Sequence, residues 1–283
     1  MPSQNIFVYR YRDDLYKVIR LMDNSPNRLR DSDTDNLSND EKTLDNIRRA
    51  SRMIESYGLC NEWDWFVTLT LDKSKRNRLD LDEFRDKFMQ MLRDIRKRTN
   101  QPIHALLVPE LHENAKGWHM HALMRGLPES ELRKFTLEEK LSGYLRRKLK
   151  DGATIYDWPE YRRKFGFVDV EPIGNRDAAT RYIKKYITKG LNATASHLQL
   201  GKHLYFVTKG LKLPMKWERA SFSSPENKAL PSFLDYVPPA AKYNWDYGQA
   251  EWYQLTDELV QQSKNCADYN RFVSVKDSDD ESP

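Results

Sequence analysis

A chain of 283 residues can bury a sizeable hydrophobic core without staples, and its two cysteines, Cys60 and Cys266, have no CxxC spacing, which argues against a zinc cluster or a secreted disulfide framework. A formal charge of +5, with 31% charged residues, is too mild to identify a nucleic-acid binder by itself. No apolar run approaches the roughly 20 residues of a membrane span, and the start Met1-Pro2-Ser3-Gln4-Asn5 lacks a signal-peptide pattern, so a soluble cytoplasmic protein with no membrane partner is expected.

A Tyr/Arg-rich start, Val8-Tyr9-Arg10-Tyr11-Arg12, precedes Asn24 to Asn39, which is dense in Asp, Asn and Ser and reads as linker. Ser38 followed by Glu41 makes a capping-box signature, and Leu44, Ile47, Ile54 and Tyr57 recur at helical spacing until Gly58. Trp65 to Leu71 reads as a strand, and Phe84, Phe88, Met91, Leu92 and Ile95 form one helical stripe. Ile103 to Glu110 and Trp118 to Met124 read as antiparallel strands joined by the polar stretch His112 to Gly117, whose glycine can adopt positive φ. A helix over Leu137 to Leu149 and a strand over Phe165 to Ile173 follow. Asn175 caps a further helix running to Lys189, Gly190 ends it, and His203 to Val207 is a candidate last strand.

The order β-α-β-β-α-β-α is the split βαβ pattern, so the expected class is α+β, a ferredoxin/RRM-like antiparallel sheet with helices packed on it. The expected division is a helical N-terminal arm with its linker (1–60), a central domain (61–213) and a C-terminal extension with an acidic tail (214–283). In that extension Pro, Ser and Asn are frequent, and the scattered Trp217, Tyr236, Trp245 and Trp252 suggest an irregular segment draped over the core. Acid is concentrated in Asp31 to Asp40 and Asp277 to Glu281, which leaves the intervening chain more basic than the average. No GxxxxGK[ST] loop is present, so a fused P-loop motor is not expected.

Two constellations carry chemistry. His119 and His121 flank Met120 on a predicted strand, so both imidazoles share one face with Cα atoms about 6–7 Å apart. Glu110, at the end of the preceding strand, can complete a two-imidazole, one-carboxylate set, with His112 and Glu113 competing for the third place. Tyr182 to Lys189 contains two overlapping Tyr-x-x-Lys patterns. On a helix, Tyr182 and Tyr186 share one face and Lys185 and Lys189 a neighbouring one. A phenol is a weak nucleophile at neutral pH and needs a cation or a metal-polarised phosphate to react. Together the two sets fit attack on a phosphodiester that leaves a 5′-phosphotyrosine and a free 3′-hydroxyl, with lysines stabilising the phosphoryl charge.

Phe66-Val67-Thr68-Leu69-Thr70-Leu71, His119-Met120-His121 and Tyr182 to Lys189, in that order, resemble the three motifs of the HUH rolling-circle replication initiators. Val108 to His112, Ile155 to Pro159 and Val170 to Ile173 add a likeness to the replication-associated proteins of bacterial phages and plasmids, over roughly Asn61 to Leu213. The resemblance implies the HUH endonuclease fold, with His119 and His121 as metal ligands, Glu110 as the third, and Mg or Mn as the ion. Imidazole favours Mn on affinity, and availability favours Mg. It implies that Tyr182 or Tyr186 attacks. We take Tyr182 as the first nucleophile and Tyr186 as the second or as a positioning residue, with Lys185 and Lys189 beside them. Single-stranded origin DNA is the expected partner, with Trp118, Arg181 and Lys184 as candidate contacts in a basic, aromatic-lined groove. A separate host helicase and polymerase are also expected, in a bacterial cytoplasm.

A transposase or relaxase with the same chemistry would differ in the DNA ends it joins. A non-catalytic origin-binding regulator would form no covalent adduct, and intact Tyr182, Tyr186, His119 and His121 argue against it. A zinc hydrolase built on the histidine pair would leave the tyrosine–lysine helix unexplained.

Overall fold

The computed structural model describes residues 5–21, 39–112, 117–189, 204–217, 230–245 and 248–274. In chain order the elements begin with β1 (Asn5–Arg12), β2 (Leu15–Leu21), α1 (Asn39–Cys60), β3 (Trp65–Thr70), α2 (Leu81–Thr99), β4 (His104–Leu111) and β5 (Trp118–Arg125). They continue with β6 (Arg133–Lys134), α3 (Gly143–Lys150), β7 (Tyr156–Asp157), α4 (Pro159–Lys164), β8 (Val168–Pro172), α5 (Arg176–Lys189) and β9 (Phe206–Val207). Last come β10 (Met215–Trp217), β11 (Ala241–Trp245), β12 (Gly248–Gln254), α6 (Asp257–Lys264) and β13 (Phe272–Ser274). The chain forms two compact units, residues 38–211 and residues 1–37 with 212–283.

The larger unit is built on a seven-stranded antiparallel sheet in the order β6-β7-β8-β3-β5-β4-β9. Its centre, β8-β3-β5-β4, with α2 and then α4 in the two connections, is the ferredoxin-like arrangement expected from the element order. The pleat sends Val67, Leu69, Ala105, Leu107, Met120, Ala122 and Met124 to one face. There α2 contributes its apolar stripe, and Phe88 meets Trp158, Tyr161 and Phe165 edge-on. The alternate residues Leu106, Val108 and Leu123 face the other way, where α1 and α5 cover them with Ile47, Ile54, Ile183 and Ile187. The two helices meet at Gly58, where a Cβ would collide with the side chain of Thr180.

Several boundaries move for local reasons. The helix expected from Leu137 starts at Gly143, where the Ser142 hydroxyl accepts from the Leu145 N–H and caps it. α4 was not foreseen. Pro159 at its first position sets φ for a single short helix, and Phe165 donates its N–H to Tyr161 at the end of it, so β8 begins only at Val168. The expected strand from His203 narrows to β9; His203 itself lies outside the described residues, as do Asn24 to Ser38, Gly190 and the acidic tail.

The smaller unit departs from the expected arm and irregular extension. β1 and β2 form a hairpin, and together with strands from the C-terminal part they make a six-stranded antiparallel sheet, β11-β12-β2-β1-β10-β13. Val8, Tyr16, Val18, Tyr253 and Phe272 line one face of that sheet and pack with Phe233 and with Val260 of α6. The α+β class holds, with a second sheet that the sequence did not announce. Among the described residues no helix is long and apolar enough to cross a membrane.

Phe88 is fully buried against three aromatic rings, so Phe88→Ala should lower unfolding stability by about 3–5 kcal/mol in urea denaturation, well beyond what a surface substitution produces.

Candidate active site

Strand register assembles the site. On the sheet face covered by α5, Glu110 of β4 lies opposite His119 of β5, which lies opposite Thr70 of β3. One row along, Val108, His121, Thr68 and Asp169 of β8 stand side by side. His119 and His121 therefore share a face, as the two-residue period requires.

Each imidazole is held differently. The His119 Nδ1 lies 3.2 Å from the Thr70 hydroxyl, while its Nε2 is buried without a hydrogen-bond partner. Burial, followed by the neighbouring His121 and His112, holds its pKa down to about 4, so the ring is neutral at neutral pH. The His121 Nε2 lies 2.8 Å from a Glu110 carboxylate oxygen. Against His121 stacks the ring of Tyr186, with centroids 3.4 Å apart and planes inclined by 14°.

α5 brings the phenols to this face because Ile183 and Ile187, four residues apart, anchor it in the core. Their neighbours Tyr182 and Tyr186 then turn toward the histidines. The Tyr186 hydroxyl donates to the Tyr182 hydroxyl oxygen at 2.9 Å, and Tyr182 rests edge-on against Phe66 while remaining 45% exposed. Burial first, and then that hydrogen bond, push the Tyr186 phenol well above its ordinary pKa. The Lys185 ammonium lies 6.0 Å from the centre of the Tyr182 ring. Lys189 closes α5, and its side chain, like all of Glu113, lies outside the described residues.

The other expected contacts separate. Trp118 turns to the opposite face, where it is 6% exposed in the α2 core and its indole donates to the Leu79 carbonyl. That position leaves it no ring surface on which a base could stack. The Lys184 ammonium is ion-paired to Glu55 of α1 at 2.6 Å, which ties it to the scaffold, whereas Arg181 stands exposed on α5. His112 is exposed at the end of β4, with its ring 5.6 Å from that of His119.

Three residues of this face were not singled out from sequence. Thr70 sits against His119, and Phe66 supports Tyr182. Asp169 is buried beside Thr68, and burial, with the nearby Glu171, pushes its pKa up to about 6. A carboxylate between two valines in an apolar strand, Val168-Asp169-Val170, was the available signal.

The donor set can be weighed for a metal. Two imidazoles and a carboxylate on one face, one ring nitrogen buried without a partner, and a ring held neutral suit a divalent cation, whose ligands must be deprotonated. Convergence is pairwise: among the described residues no three His, Cys, Asp or Glu groups already gather at one point.

Residues 64–191 match the family model described as Replication-associated protein ORF2/G2P. The matched segment runs from just before β3 to just beyond α5 and so contains the whole site, which points to a replication-associated protein. No curated protein and no solved structure matches the chain.

The Asp169 carboxyl has a folded pKa above its ordinary value of 3.8, so its contribution to stability is fully present below about pH 4 and is lost as pH rises through about 6. Asp169→Asn should therefore be more stable than wild type at pH 7.5 by about 3 kcal/mol, seen as a higher melting temperature, with the advantage gone near pH 4. Thermal melts of both proteins across that range test it.

Proposed function

We propose that the chain initiates DNA replication by nicking one strand of origin DNA through a covalent tyrosine intermediate. The observation that carries this reading is the unbroken series of contacts Glu110–His121–Tyr186–Tyr182 on one sheet face, with a lysine beside the most exposed phenol. A family match to replication-associated proteins over the same residues supports the biological role.

In this mechanism His119, His121 and Glu110 would hold Mg or Mn. The ion would act as a Lewis acid on the scissile phosphate. Thr70 orients His119 through Nδ1, and the stacked Tyr186 ring fixes the plane of His121. Tyr182 is the attacking group. Its oxygen accepts a hydrogen bond from Tyr186, which fixes its position, and its exposure leaves room for a strand to approach. As the Tyr182 oxygen gives up its proton to solvent and bonds to phosphorus, the bond to the 3′ oxygen breaks, that oxygen takes a proton from solvent to become a hydroxyl, and a 5′-phosphotyrosine remains. Lys185 stabilises the charge gathering on the phosphoryl oxygens. Tyr186, whose proton is held firmly by burial and by its hydrogen bond to Tyr182, positions the first phenol and is available for the second transfer that rejoins the strand.

The test is adduct formation with a pool of single-stranded origin-region oligonucleotides in Mn or Mg. Wild type should give a denaturation-resistant protein–DNA band that chelator abolishes. Tyr182→Phe should remove the band and His121→Ala should reduce it by about 100-fold or more, while Tyr186→Phe retains a weaker one. Binding of the pool with no adduct in either metal would transfer the case to a non-catalytic origin-binding regulator.

A further inference from the structure

The smaller unit carries a second surface that the nicking site does not use. In its sheet, Val8, Tyr16, Val18 and Tyr253 face the core, so the alternate residues emerge on the opposite side. Register fixes which they are. Tyr9 lies between Lys17 and Lys216, Lys17 lies beside Trp252, and on the outermost strand Tyr243 and Trp245 stand opposite Ala250 and Gly248.

These residues alternate aromatic rings with ammonium groups. The Lys17 Nζ lies 4.7 Å from the centre of the Trp252 ring, Tyr11 packs against the same ring at 5.1 Å, and the Lys216 Nζ lies 5.7 Å from the centre of the Phe7 ring. Tyr243 and Trp245 are 61% and 44% exposed on the edge strand. Among the described strand residues no Asp or Glu falls on this face, and Glu251 turns to the other side, where Arg20 and Tyr253 bind it. Basic residues occur on both faces of the sheet, with Arg20 and Lys242 beside Glu251 on the core side.

We propose that this face is a platform for single-stranded DNA, separate from the nicking site. Unpaired bases stack on exposed rings without regard to sequence, and lysines set among the rings meet the phosphates that join successive bases. A duplex presents no free base faces, and a partner protein with a plain apolar surface would offer the interspersed ammonium groups no anionic contact. That the strand is DNA rather than RNA rests on the replication reading. The platform would hold single-stranded DNA by contacts indifferent to its bases.

The test uses the full chain and a fluorescent 25-nucleotide oligo-dT that contains no origin sequence. Fluorescence polarisation and tryptophan quenching are measured for wild type, for Tyr243→Ala with Trp245→Ala, and for Lys17→Gln with Lys216→Gln, with circular dichroism to establish folding. Wild type should bind oligo-dT and quench. The aromatic double variant should bind at least about tenfold more weakly, and the lysine pair should show a shallower salt dependence. Both variants should still form the tyrosine adduct on a short origin oligonucleotide. A folded aromatic variant with unchanged oligo-dT affinity overturns the platform, as does equal affinity for a duplex of the same length. So does a wild type that self-associates through these residues, seen by light scattering, without binding oligo-dT. If oligo-dT binding depends on these rings while wild type forms no adduct, the platform stands and the nicking mechanism falls.

Discussion

β5 is covered on both faces, and its two-residue alternation has to satisfy two unlike environments at once. Met120, Ala122 and Met124 enter the core against α2, while His119, His121 and Leu123 enter the face against α5. A slip of one residue against β3 or β4 would drive both imidazoles into the larger apolar core and lift three fully buried residues out of it. The hydrophobic demand of the α2 face therefore fixes the register that sets Thr70, His119 and Glu110 in one row. The chemistry inherits its precision from packing that takes no part in it. Gly117 serves the same end where β5 begins: its φ of +152° is open to glycine, and a Cβ there would press on the Arg78 side chain.

α5 is placed by a comparable division. Ile183 and Ile187 anchor it in the core, and the salt bridge from Lys184 to Glu55 fixes it to α1. With these contacts made, the helical period leaves Tyr182 and Tyr186 no choice but the histidine side. The two phenols then differ in setting although they are four residues apart on one helix face. Tyr186 lies flat on His121, and Tyr182 leans outward over Phe66. That difference in setting, rather than the Tyr-x-x-Lys pattern, which both complete, is what tells the two phenols apart.

The central fold was legible because each element there carries one clean period. The stripe Phe84 to Ile95 had to be a helix, and the strands around His119 had to be neighbours joined by a short polar turn. The shared face of His119, His121 and Glu110 followed from the same period. What pairing supplies was not legible: Thr70 and Asp169 matter through the residues opposite them, which one strand does not reveal. The second sheet was hidden for a stronger reason. Lys17 of β2 pairs with Trp252 of β12, more than two hundred residues away, and neither strand alone looks like part of a sheet. Trp118 was weighed as a stacking contact because it adjoins His119, and strand alternation sends it to the opposite face, where it is buried.

Burial acts in one direction across the α5 face. It lowers the His119 pKa and raises those of Asp169 and Tyr186, so that in each case the neutral form is favoured. Such a surface resists isolated charge, and this sets what can react there. An anionic phosphodiester would enter at a cost unless a cation entered with it, so substrate and metal would stabilise one another's presence. Of the two phenols, Tyr182 is the more exposed and has Lys185 close by. The same burial keeps the His119 ring neutral and holds the proton on Tyr186. Depth alone thus gives two chemically identical side chains, four residues apart on one helix, different surroundings.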